Sequence, residues 1–295
     1  VRILDLSLLQ QCAIAAAYRA GHYIARHAAS DVAVRTKTGH HSLASQVVTE
    51  IDHNSQALIR QTLQAASERF DLAWLGEESP DDGERLRKDY FWCVDPLDGT
   101  LPFIEGIPGY SVSIALVSKD GTPCLGVVYD PLSQTLYHAV KGGGAFSNEQ
   151  PLCVPGSEST TLTFITDKSF ANEALYQATV NRLQGMAVQL GYTGSRLVLQ
   201  GGAALNACQV LAAPACYFKF PKLQTGGGSV WDYAATACLF GEAGAPVADI
   251  CGRSLDLNPP ESTFLNHCGV LYSSDRHIAD AMVSLYRELS GRLLV

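Results

Sequence analysis

The segment Phe91–Thr100, FWCVDPLDGT, constrains the fold more than any other part of the chain. An apolar, aromatic run of the kind that fills a buried strand leads straight into two aspartates, Asp95 and Asp98. Pro96 disfavours helix at Asp95 and keeps it extended at the strand end. Gly99 permits a tight turn and a close backbone approach. Leu101-Pro102 then suits a helix start, because proline is tolerated in the first turn. The stretch predicts strand, turn and helix, with both carboxylates at one mouth. The unpaired first-turn amides of Gly99 and Thr100 would point at the same spot, where phosphate binds well.

Two carboxylates about 4 Å apart repel by roughly 4 kcal/mol at an effective dielectric near 20. A shared proton or a cation would offset that repulsion. Carboxylates, a main-chain carbonyl and water are hard oxygen ligands of the kind Mg²⁺ takes. The same residues also suit an Asx-type turn that only reverses the chain.

Composition narrows the partners. The chain has 295 residues, 47% apolar and 17% charged, enough for one large domain or two intimate halves with a substantial core. Its formal charge of -8 argues against nucleic acid, which normally needs a basic surface. No stretch approaches the roughly 20 apolar residues of a membrane span. The apolar block Cys12–Tyr18 is short and flanked by Gln10, Gln11 and Arg19, unlike a signal peptide. Nine cysteines, an odd number without a C-x-x-C pair, read as reduced thiols, several of them buried. These features predict a cytoplasmic protein without a zinc site.

Helical periodicity covers Leu6 to about Ala28 and residues 50–66. Between them RTKTGHHS, residues 35–42, reads as a loop or loose hairpin. Short strands follow at DLAWLG, YFWCV, YSVSIALVS and through the Gly/Pro-punctuated run 121–146, predicting an antiparallel sheet with helices on one side. After about Pro155 strand and helix alternate, with helices near 172–190, in GGAALNACQVLAA, in SVWDYAATACLFGEAG and from about Asp275. The expected halves are 1–155, with the acidic motifs, and 156–295, sharing one body with a cleft between them.

Two further acidic clusters stand out. WLGEES offers Glu77 and Glu78 after a short apolar strand, and its plainer reading is a solvated acidic loop. SVWDYAATA places Asp232 at a helix start, where Ser229 and Asp232 also form an S-x-x-D capping box. Capping and metal binding are compatible in a first helical turn.

Taken together, Gly76-Glu77-Glu78, Asp95-Pro96-Leu97-Asp98-Gly99-Thr100 and Trp231-Asp232 resemble the signature of the inositol monophosphatase superfamily of lithium-sensitive, Mg²⁺-dependent phosphatases. The resemblance spans nearly the whole chain, including GVVYDP and GGGAF, and implies an α/β (α+β) fold, a layered α-β-α-β-α sandwich. It implies two or three Mg²⁺ per site, a small phosphorylated substrate, and a monomer or homodimer. By position, Glu77, Asp95 and the Leu97 carbonyl would bind one metal, and Asp95, Asp98 and Asp232 a second. Asp52 would pair with Thr100 and reach a further metal through water, and Lys37 lies where the family often has a loop lysine. The catalytic roles then fall to Glu77, Thr100 and Asp52, and substrate binding to Gly99, Thr100 and Asp232, with the Gly99 and Thr100 amides on the phosphoryl oxygens. No Ser, Cys or His sits in a nucleophile motif, so a metal-activated water is the expected attacker.

The strand before Trp231-Asp232, CYFKFPK, carries Lys219 and Lys222 where inositol phosphatases commonly have an acid. With the closing segment LDLNPPESTFLNHCGVLYSS, this resembles the CysQ-type bisphosphate nucleotidase branch, which removes the 3′-phosphate of adenosine 3′,5′-bisphosphate. Lys219 would then hold the second phosphate, unless it only snorkels at the surface. The extra loop LQTGGGS, residues 223–229, and the inositol phosphatase-like QGGAALNAC depart from that branch. The alternative is an inositol-1-phosphate or other sugar phosphate phosphatase, and a remoter one a non-catalytic family member that only binds metal or ligand.

Overall fold

Two long helices, α1 (Leu6–Thr38) and α2 (His41–Phe70), open the chain. A computed structural model describes the backbone of residues 4–38, 41–152, 159–222 and 228–291, with side chains except those of 29–49. The segment 35–42, read as a loop, is helical on both sides of residues 39–40, which lie outside the described residues. Its Lys, Arg and Thr carry no apolar stripe, yet Lys and Arg are good helix formers, so the missing periodicity did not mean missing helix. Lys37 belongs to the last turn of α1, and its side chain lies outside the described ones.

Seven strands follow in chain order as one sheet. They are β1 (Ala73–Gly76), β2 (Tyr90–Asp98), β3 (Ser111–Ser118), β4 (Pro123–Asp130), β5 (Thr135–Val140), β6 (Gly144–Ser147) and β7 (Gln150–Pro151), with the short helix α3 (Thr100–Glu105) after β2. β1 and β2 are parallel and the rest pair antiparallel. The second sheet has the order β11-β12-β10-β8-β9. Its strands are β8 (Thr161–Thr166), β9 (Gly194–Leu199), β10 (Ala215–Lys219), β11 (Val247–Ala248) and β12 (Val270–Ser273). Between and after them come α4 (Tyr176–Gln189), α5 (Ala203–Val210), α6 (Val230–Ala243) and α7 (Arg276–Gly291).

Strand alternation sorts the side chains into separate cores. Trp92, Val94, Ile114 and Leu116 join Leu9, Ala20, Ile24 and Ile59 of α1 and α2. Phe91, Cys93, Ala115 and Val117 point the other way, into a core with α5, α6 and the inner face of the second sheet, Tyr217 and Tyr272. The outer face of that sheet, Phe164, Phe218 and Leu271, packs on α4 and α7 through Leu183, Met282 and Leu285. Two outer cores and a middle one that wraps both sides of α5 and α6 hold five layers together, the expected α-β-α-β-α sandwich. The first sheet is covered on both faces, not on one, because α6 returns from the second half to lie against it. α6 is apolar nearly all round, as a helix between two sheets must be.

α6 can approach because the sheet offers small residues. A Cβ at Gly126 would lie 2.2 Å from the Ala235 carbonyl oxygen. At the far end of α6, Glu242 accepts the amides of Gly142 and Gly144, both at 2.9 Å, and these glycines supply the left-handed backbone (φ 77° and 82°) of that turn.

Other boundaries moved. β2 runs through Asp98 rather than stopping at Asp95. The helix expected from 172 starts at Tyr176, after a 3-10 turn at Lys168–Asn172. β9 was not foreseen, because as a half-buried edge strand it has no alternation. No described helix is long and apolar enough to cross a membrane. Described cysteines are free thiols, and Cys93, Cys208, Cys216 and Cys238 are buried, which pushes their thiols well up.

Candidate metal and phosphate site

The register of β1 on β2 brings the first two acids together. Gly76 pairs with Val94, and the Glu77 amide donates to the Val94 carbonyl at 3.1 Å, so the next residue on each chain is Glu77 and Asp95. Between Asp95 and Asp98 the β2–β3 register shifts. There the Asp95 carboxylate accepts the Leu97 amide at 3.0 Å. The Asx turn is therefore real, and it leaves the second Asp95 oxygen for other work.

Three glycine-bearing turns cross under Asp98. Gly99 (φ 87°) and Gly202 (φ 79°) both lie in the left-handed region, and a Cβ on either would lie 2.3 Å or 2.0 Å from the Gly109 carbonyl oxygen. This contact sets the start of α5 against the end of β2. Asp98 then accepts the Ala203 amide at 2.9 Å and the Ala204 amide at 2.8 Å, one on each oxygen. From the other side α6 delivers Asp232 in its first turn. Ser229 and Asp232 form the capping box, with the Ser229 amide donating to Asp232 at 2.8 Å.

Asp95, Asp98 and Asp232 thus present one oxygen each within 4.8 Å of one another, and all three are buried. They line a cavity of ≈ 320 Å³ with Glu77, Leu97, Gly99 and Thr100. Glu77 stands at its solvent-exposed edge. The like charges have a clear electrostatic consequence. Burial, then the charges of Glu77, Asp98 and Asp232, hold the Asp95 carboxyl well above the usual carboxylate range. Burial and Asp232 push Asp98 up to about 7, against the pull of the Ala203 and Ala204 amides. Burial also raises Asp232, opposed by Lys219. Desolvation and then Asp232 push Glu77 up to about 8, although solvent reaches it and screens part of that push.

A divalent cation relieves this crowding. Hard carboxylate oxygens converging in a buried pocket fit Mg²⁺ or Mn²⁺, so the residues present suit the implied metal. Asp52 is neither in that cluster nor among the described residues lining the cavity. It sits on α2, 7% exposed, with Oδ1 lacking a hydrogen-bond partner, and burial followed by the Glu78 charge pushes it up to about 7.

One expected contact is not formed. Thr100 Oγ1 donates to the Leu97 carbonyl at 3.3 Å rather than to Asp52, because the tight turn places that carbonyl three residues back within reach. Glu78, read as a solvated loop residue, is 20% exposed with His53 at 3.4 Å, and its amide donates to Gln56 at 3.1 Å. Lys219 does reach the cavity, but 7% exposed and paired with Asp167 at 2.8 Å. Of the 223–229 loop, residues 223–227 lie outside the described residues, while Gly228 lines the cavity.

Sequence reasoning missed Asp167, Lys168 and Ser169, which line the cavity from the end of β8. Their signal was an acid directly after an apolar strand, the pattern already recognised at Asp95. Gly201 and Gly202 were also missed, since their role rests on a backbone crossing that only the tertiary fold creates.

A family model described as the inositol monophosphatase family matches residues 5–290. "Inositol monophosphatase 2" of Homo sapiens is 32% identical over 278 residues, covering 91% of this chain and 87% of its own. The "Fructose-1,6-bisphosphatase/inositol-1-monophosphatase" of Thermotoga maritima is 29% identical, covering 93% and 95%. In fold, the chain is similar to the inositol monophosphatase structure from Anabaena (Nostoc) sp. PCC 7120, with a TM-score of 0.69 at 23% identity and 97% of each chain covered. With its acidic motifs converging as described, the chain belongs to the inositol monophosphatase family.

Proposed function

We propose that this family phosphatase hydrolyses the phosphate monoester of a small polyol, a cyclitol or sugar, with Mg²⁺ held by Glu77, Asp95, Asp98, Asp232 and the Leu97 carbonyl. The observation that carries the substrate choice is the pairing of the cavity lysines. Lys219 meets Asp167 at 2.8 Å, Lys222 meets Glu173 at 2.9 Å, and Lys168 meets Glu105. A second phosphate would have to displace a carboxylate to use any of them, whereas hydroxyls can bond to donor and acceptor alike. The cavity of ≈ 320 Å³ is at the small end of ligand pockets, which favours a compact leaving group over a nucleotide bisphosphate. The inositol monophosphatase activity in the relatives' names favours this reading over the nucleotidase expected from Lys219 and the closing segment.

When bound, Mg²⁺ would supply Lewis-acid polarisation of the phosphoryl oxygens and of a water. The chain's own groups complete the site. Gly99 and Thr100 begin α3, whose first-turn amides lack intrahelical partners and suit phosphoryl oxygens. Glu77, at the solvent-exposed edge of the cavity, is placed to take a proton from the attacking water. Thr100 Oγ1, anchored to the Leu97 carbonyl, presents its lone pairs to that water.

The test is a substrate panel in Mg²⁺. Inositol 1-phosphate should give at least a tenfold higher kcat/KM than adenosine 3′,5′-bisphosphate. The opposite order would restore the nucleotidase reading, and no phosphate release from any of them would sink the phosphatase proposal.

A further inference from the structure

We propose that Lys219 sets the cation affinity of the Asp98–Asp232 end of the site: a fixed ammonium inside the carboxylate cavity that weakens cation binding there and keeps the cation exchangeable. The inference rests on the reading of these acids as cation ligands. It does not follow from that reading, which requires only carboxylates.

The register fixes where the charge stands. β10 pairs parallel with β8, Tyr217 opposite Ile165, so Lys219 and Asp167 leave their strands side by side. On its other flank Lys219 pairs with Val270 of β12, and a Cβ at Gly269 would lie 2.4 Å from the Lys219 carbonyl oxygen. The backbone is thus held on two sides. The side chain is held as well: Nζ lies 2.8 Å from Asp167 and 5.6 Å from the Tyr233 ring centroid, with 7% exposure. Tyr233 follows Asp232 on α6, so the ring that receives the ammonium is anchored next to the ligand carboxylate.

A surface lysine in this position would swing into water and act on nothing. Lys219 cannot, and it shares the cavity with Asp98 and Asp232. Burial would discharge it, but Tyr217, Tyr233, Asp167 and Asp232 outweigh burial and hold the ammonium well above the usual lysine range. It stays charged through the working range inside the cavity that Asp98 and Asp232 line. A cation entering between those carboxylates meets a like charge already present. Asp167 is more exposed, at 24%, and partly screened by solvent, so it does not cancel Lys219 at the cluster.

Calorimetric titration of the full metal-free chain with Mn²⁺ tests this. Lys219→Met should tighten the weakest Mn²⁺ step at least tenfold, and Lys219→Arg, which keeps the charge, should stay within threefold of wild type. The double variant Lys219→Met/Asp167→Asn, which leaves no unpaired carboxylate behind, should still bind at least threefold tighter. Wild-type affinity in Lys219→Met, or a double variant back at wild type, overturns the proposal and leaves the cluster reading intact. A wild-type chain that takes up no Mn²⁺ overturns both. Lys219→Arg covers the case in which Lys219→Met does not fold: a tenfold change in affinity with the charge retained would contradict the proposal by itself.

Discussion

Replacing Asp95 with asparagine is expected to lower phosphatase turnover at least ~1000-fold, a loss of roughly 4 kcal/mol of transition-state stabilisation. It should also make the metal-free protein more stable near pH 8. Both effects follow from one residue. Asp95 is 1% exposed, and Glu77, Asp98 and Asp232 all raise its carboxyl, so its charge is one the metal-free fold tolerates poorly. Asparagine keeps an oxygen for the Leu97 amide, so the turn survives. It removes one buried charge among like charges and offers an amide donor in its place. The same change takes a shared oxygen ligand from the cluster. Turnover in saturating Mg²⁺ and thermal melts with and without metal measure both. A variant with near wild-type turnover would show that Asp95 is only a turn residue. One with unchanged metal-free stability would show that the acids are not crowded.

Without metal, the protein should lose stability as pH rises, and Mg²⁺ should return it. Folding lifts Asp52 and Asp98 from 3.8 to about 7 and Glu77 from 4.5 to about 8. Between about pH 4 and pH 8 the folded chain therefore holds protons that the unfolded chain has released. Stability must fall with pH across that window. Asp98, 5% exposed, accounts for a loss on the order of 4 kcal/mol. Melts of the metal-free chain should therefore drop by roughly 10 °C between about pH 5.5 and 8.5. Excess Mg²⁺ should stabilise little at the lower pH and most at the higher one, because binding displaces those protons. A metal-free melting temperature that rises over this range would contradict the electrostatic account.

Much of the site was legible before the structure because its chemistry is written at strand ends. Glu77 and Asp95 each follow an apolar run, and Asp232 opens an apolar helix, so residue type and local pattern marked their positions, while their expected roles came from the family resemblance. The five layers came from the resemblance, since the strand pattern alone predicted helices on one face, whereas Trp92 and Val94 pack on one face and Phe91 and Cys93 on the other. What stayed hidden depends on contacts between distant segments. Gly202 carries no signal of its own, since only the Gly109 carbonyl makes a side chain there impossible. The partner of Lys219 could not be read from CYFKFPK, because Asp167 stands on another strand and meets it only through the parallel register. That partner changes the substrate reading, from a lysine open to a second phosphate to one already occupied. The helical extension over 35–38 was missed for a different reason: a polar helix has no stripe to read.

Diffraction from crystals soaked in Mn²⁺, recorded for its anomalous signal, tests the central claim most directly. The account predicts at least one peak within about 2.5 Å of carboxylate oxygens from Asp95 and from Asp98 or Asp232, with Glu77 drawn toward it. Carboxylates that remain together with no peak between them, or a peak held by other residues, would contradict it.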